Sequence, residues 1–109
     1  MAPLCALLAL LALADCAAAL QCSAPASCQT FPGARLFPSA CYAPSSAAQL
    51  ARFDHAALSL LGSLCQSSAH CIAFSADGKE LFSSFLPEPR PERAAGHGDC
   101  DGTYVMEGR

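Results

Sequence analysis

Two pairs of cysteines, Cys22 with Cys28 and Cys65 with Cys71, each stand six positions apart, the second within "LCQSSAHCIAFSADGKE". Thiols so spaced can hold a metal, exchange electrons or close a disulfide. Structural zinc sites favour paired cysteines two residues apart, so that both thiolates point at one ion, and no C-x-x-C occurs here. His70 abuts Cys71 and His97 lies three positions before Cys100, so a mixed site can be drawn, but the spacing argues against metal. Redox exchange lacks the same motif. Nucleophilic catalysis fares no better: serines are abundant and there are three histidines, yet no G-x-S-x-G or comparable signature marks a nucleophile. Asp54 and His55 are adjacent, and neighbours on a helix point apart. Asp99 and Asp101 flank Cys100 without the alternation of a calcium loop and read as turn residues. The sequence therefore predicts no enzyme, no catalytic residue, no metal ligand and no cofactor.

The disulfide reading depends on export, and the first residues supply the signal. Residues 4–14 are an almost unbroken Leu/Ala run, closed by Asp15 and followed by Ala17, Ala18 and Ala19. A greasy stretch with a small-residue exit resembles a secretory signal peptide and is shorter than the ~20 apolar residues a membrane span needs. No Lys or Arg precedes it, so only the α-amino group supplies positive charge there. A lipoprotein box at 13–16 is spoiled by Asp15, and retention as a buried helix or an anchor is the other alternative. Cleavage near residue 19 removes Cys5 and Cys16 from the eight cysteines, leaving Cys22, Cys28, Cys41, Cys65, Cys71 and Cys100. An even number in a short exported chain reads as a disulfide framework. Three bridges at about 2–4 kcal/mol each are comparable with the whole net stability of a small domain.

Composition narrows the partners. Six Lys and Arg stand against nine Asp and Glu, so no basic surplus exists to neutralise phosphates and nucleic acid is an unexpected partner. Past the leader no long apolar run recurs and the mature chain is expected to have no membrane span. Asn is absent, which rules out an N-glycosylation sequon.

The elements that must position the cysteines come next. Residues 20–40 are rich in Pro, Ser, Ala and Cys and sustain no period, which predicts loops with one short strand around 34–37. Residues 55–66 are predicted helical, with Asp54 as N-cap and Ala57, Leu58, Leu61, Leu64 and Cys65 on one face. Residues 47–53 form a preceding turn or join that helix, and Gly62 weakens the pattern by about 1 kcal/mol. Residues 71–76 read as a strand, Asp77-Gly78 as a tight hairpin turn, and residues 79–86 as the returning strand. Residues 87–93 carry three prolines and are expected as an exposed extended loop outside any ladder. Residues 103–106 form a last short strand. A Cys65–Cys71 bridge then ties the end of the helix to the start of the strand that follows it.

With those residues in place, "LSLLGSLCQSSAHCIAFSADGKE" resembles the central signature of PAN/apple modules: a helix ending in cysteine, a short gap, then C-x-x-F opening a strand. Cys65, Cys71 and Phe74 match that order, and "CDGTYV" looks like the closing strand that returns beside the first. The resemblance implies a small α+β fold, one helix packed on a short antiparallel sheet, with residues 41–109 as the module behind a 1–19 leader and the 20–40 segment. Such modules usually carry a second helix-to-strand bridge. Here Leu61 stands at its helix end, with Leu81 and Phe82 opposite, so an apolar contact replaces it. The resemblance further implies a terminal bridge from Cys100 to one of Cys22, Cys28 or Cys41, with Cys41 chosen and Cys22 left to pair with Cys28. It implies a secreted adhesion or recognition module for an extracellular protein or carbohydrate. The contact regions suggested are residues 87–98 and the tip at Asp77, Gly78 and Lys79, with no individual ligand contact marked. A cysteine-rich signalling or defence peptide and a gene-model fragment are the alternatives.

Overall fold

The structure, a computed structural model, describes residues 24–96 and 98–109. The expected leader, Cys22 and His97 lie outside the described residues. Strand β1 (Ala34–Pro38), β2 (Tyr42–Arg52), helix α1 (Leu58–Ser67), β3 (Ala73–Ser75), β4 (Glu80–Pro89) and β5 (Gly102–Met106) follow in chain order. The strands form one five-stranded sheet in the order β1-β5-β3-β4-β2, every neighbouring pair antiparallel. The chain is thus a small α+β fold, with one helix packed on an antiparallel sheet.

Register builds the core. Leu36, Tyr104, Phe74, Leu81 and Ala51 lie opposite one another in successive strands, forming a single row across the whole sheet. In antiparallel pairs directly opposed side chains share a face, so this row is the floor on which the helix rests. Leu61 and Cys65, one turn apart on α1, close over it together with Cys71 and Met106. Leu61 and Leu81 both belong to this buried cluster, the two apolar residues expected where a bridge is missing.

Phe31 completes the core from a segment read as loop. Its ring meets Phe74 at 5.1 Å and Tyr104 at 5.0 Å, both edge-on, while Phe74 and Tyr104 stack at 5.0 Å. Residues 31–38 thus belong to the fold, since they supply both this ring and β1. Phe31 also explains the helix-weakening Gly62, where a Cβ would stand 2.7 Å from the ring. Glycine lets the ring lie directly on the helix backbone.

Several features differ from expectation. The helix starts at Leu58 with Ala57 as N-cap and no side-chain cap, not at His55 behind Asp54. The Phe53 amide donates to Lys79 O (2.7 Å) and the Ala56 amide to Gly78 O (3.0 Å), so the β3–β4 turn holds residues 53–56 out of a helix. Leu64 is exposed, because Leu61 and Cys65 define the buried stripe and Leu64 falls outside it. Residues 47–53 belong mostly to β2 rather than to a helix, because pairing with β4 outweighs the helix propensity of an Ala-rich run. The same ladder reaches Pro87 and Pro89, opposite Pro44 and Tyr42, so the first part of the expected 87–93 loop is strand. Beyond Phe82, β4 pairs with β2 alone, and a proline without an amide donor is tolerated at such an edge.

The ribbon of β2 and β4 has three register shifts, which leave Ser45, Ser83 and Leu50 as the extra residues of bulges. Two of these are serines whose hydroxyls donate across the ribbon, Ser45 to Leu86 O (2.8 Å) and Ser83 to Ala48 O (3.3 Å). Each hydroxyl thus serves a carbonyl beside a break in the ladder.

Candidate functional site

Two disulfides are present among the described residues. Cys65 and Cys71 are joined, with Cα atoms 5.0 Å apart, and both are fully buried. The helix end they anchor is served by a second device. The Arg109 guanidinium donates to the carbonyls of Cys65 (2.7 Å), Gln66 (2.9 Å), Ser68 (2.8 Å) and Cys71 (3.0 Å). A cation at a helix C-terminus satisfies carbonyls that have no partner within the helix and opposes the negative end of its dipole. No pattern in the sequence pointed to Arg109.

The second disulfide joins Cys28 to Cys100, which corrects the pairings of Cys41 with Cys100 and Cys22 with Cys28. Geometry decides it. The chain turns at Pro25–Cys28, where the Cys28 amide donates to Pro25 O (3.1 Å), and the Tyr104 hydroxyl donates to Gln29 O (2.6 Å), holding this segment against β5. Cys41 instead sits buried in the β1–β2 link, where its carbonyl accepts from the Arg90 amide (2.7 Å). Burial of the Tyr104 ring, 2% exposed, pushes its phenol above the ordinary value.

Between the 24–30 segment and the sheet opens a cleft of about 610 Å³, within the roughly 300–1,000 Å³ usual for ligand sites. Gln29, Thr30, Arg35, Tyr42, Tyr104 and Glu107 supply its polar lining. Ala34, Arg35 and Leu36 all line it. Successive strand residues point to opposite faces, so a cavity touching three in a row lies along the edge of β1. Arg35 rests its guanidinium 4.9 Å above the Phe37 ring, and Phe37 meets Tyr42 edge-on at 5.0 Å. Cys28 is itself part of the wall, and its covalent link ties that wall to Cys100, just before β5.

The other residues singled out in the sequence do not converge. Asp54, His55 and His70 are all exposed. Cys71 and Cys100 lie in different disulfides, and no group of three His, Cys, Asp or Glu gathers among the described residues. Arg93 pairs with Asp99, while an Asp101 carboxylate oxygen accepts from the Gly98 amide at 3.1 Å. Both contacts lie between β4 and β5. Asp77-Gly78 lies in the β3–β4 turn, with Asp77 and Lys79 exposed. The Ser75 hydroxyl donates to Asp77 Oδ1 (2.6 Å) and accepts from the Glu80 amide (2.9 Å), and Gly78 is buried. No helix among the described residues is long and apolar enough to cross a membrane. The disulfides are compatible with an extracellular location.

No family model, no curated protein and no solved structure matches this chain.

Proposed function

We propose that the chain is a secreted recognition module of PAN/apple type that binds an extracellular protein or carbohydrate in the cleft beside β1. Several features support the kinship. One helix lies on an antiparallel sheet, β5 returns beside β1, Cys65 and Cys71 tie helix end to strand start, and Leu61 and Leu81 share one buried cluster. The observation that carries the recognition reading is the cleft itself. It is walled by a disulfide-pinned segment and lined by a guanidinium, two phenols, an amide and a carboxylate. A rigid frame presenting such groups is what binding requires, because little conformational freedom remains to be lost when the ligand arrives.

The test is to express the chain through a secretory route and apply the oxidised monomer to arrays of glycans and extracellular proteins. Binding that disappears in an Arg35→Ala, Tyr42→Ala variant with an unchanged melting temperature is the expected result. Binding indifferent to those substitutions, or none at all, overturns the proposal. Lysis of vesicles by the same preparation would support the defence-peptide class instead.

A further inference from the structure

We infer that the free edge of β1 is a docking strand, which takes an extended peptide of a partner protein as a sixth strand and seats it in the cleft. The inference rests on the recognition reading above and narrows its ligand to one class. Its basis is the direction of backbone groups along β1. The Gly33 carbonyl accepts from the Glu107 amide (2.7 Å) and the Ser39 amide donates to Asp101 O (2.8 Å), so both odd-numbered residues face β5. The Ala34 amide instead donates to Phe31 O (3.1 Å), and the Pro38 carbonyl accepts from the Cys41 amide (3.0 Å), so both even-numbered residues face away. In a strand the amide and carbonyl of one residue point to the same side and successive residues alternate. Leu36 lies midway and shares the even phase. Its amide and carbonyl, with the Ala34 carbonyl, point from the sheet into the cleft that Ala34 and Leu36 line.

A donor and two acceptors at strand spacing are the recognition element of strand addition, in which main-chain hydrogen bonds give affinity and alternate side chains give specificity. The opposite edge is built otherwise. β2 carries two bulged residues, Ser45 and Leu50, and Pro44, devices that blunt an edge against pairing. β1 has no bulge in its ladder, and its flank is walled by residues of the 24–30 segment.

Side chains define the peptide. Those on the face of Leu36 and Tyr104 meet apolar surface, while those on the other face meet Arg35. Among the described residues Arg35 has no carboxylate partner, its contact being the Phe37 ring. The peptide therefore presents an acidic side chain beside Arg35 and none toward Glu107, which lies at the Gly33 end of the same cleft.

A phage-displayed library of random heptapeptides, selected on the oxidised chain, supplies the probe. The strongest peptide is then synthesised with each backbone nitrogen methylated in turn, a change that leaves the protein untouched. Methylation at alternate residues is expected to weaken binding about tenfold or more, and at intervening residues less than about twofold. The Leu36 amide gains protection from hydrogen exchange in the complex. Arg35→Glu reverses the preference for acidic peptides. Uniform sensitivity to methylation, or failure to select any peptide while arrayed proteins or glycans still bind, sinks the inference and leaves the recognition reading standing. Absence of binding to library and arrays alike removes both.

Discussion

Gly62 shows how one missing methyl group can set a packing geometry. In a free helix Gly62→Ala would gain about 1 kcal/mol of propensity. Here the new Cβ would stand 2.7 Å from a Phe31 ring held edge-on by both Phe74 and Tyr104. That ring cannot withdraw without breaking both contacts, so overpacking outweighs propensity and a net loss of about 1–2 kcal/mol is expected. Chemical denaturation of the variant checks it, and a stabilised protein would refute the packing account. Tyr104 makes a pH-dependent case. Its phenol is buried, donates to Gln29 and is pushed above the ordinary value. A raised value in the folded state means the phenolate forms more readily once the chain unfolds, where the phenol ionises near pH 10. The associated stability is complete below that pH and is lost as pH rises through the folded-state value. Tyr104→Phe should therefore flatten the alkaline limb of a melting-temperature profile taken between about pH 8 and 12. An unchanged limb would show that another group governs it.

Among the elements, the β3–β4 turn does more than reverse the chain. Gly78 has φ of +78°, and a Cβ there would collide with the Ala56 carbonyl. Gly78→Ala thus combines backbone strain with displacement of residues 53–56, and a loss of about 2–3 kcal/mol is expected. Amide exchange localises the effect. Phe53 and Ala56 lose protection first if the turn is what delays the helix, whereas uniform loss would mean global destabilisation alone. This turn also explains which parts of the fold were legible in the sequence. The Asp-Gly turn and the Leu61/Cys65 stripe are local patterns and were readable, whereas the strand expected over 71–76 is only Ala73–Ser75, leaves Ile72 outside and is buried on both faces. The start of the helix was not readable, because hydrogen bonds to Lys79 and Gly78 override a good Asp54 cap from more than twenty residues away. The strand 42–52 was equally hidden. Ala47, Ala48 and Ala51 favour helix, and only the partner strand makes them extended. The cleft was least visible, since its walls lie far apart in sequence and the bridge that joins them, Cys28–Cys100, cannot be chosen by counting cysteines.

At the scale of the whole fold the two disulfides among the described residues divide the work by loop size and by access. Cys28–Cys100 encloses a sequence separation of 72 residues and Cys65–Cys71 one of 6. Chain-entropy arguments assign about 4 kcal/mol to the long loop and about 2 kcal/mol to the short one. Access runs the same way: Cys100 is exposed, whereas Cys65 and Cys71 are fully buried, and thiol exchange needs a thiolate to reach a sulfur. Graded reduction with alkylation and mass spectrometry should therefore label Cys28 and Cys100 before Cys65 and Cys71. The singly reduced species should keep its helix, because α1 is held by Leu61, the inner bridge and Arg109, none of which depends on Cys28. It should nonetheless lose the cleft, since one wall is the segment that Cys28 pins. Binding would then fail at a reductant level where far-ultraviolet circular dichroism is still native. Simultaneous labelling of these four bridged cysteines, or helix loss in step with the first bridge, would show that the frame melts as one unit and that the cleft has no separable support.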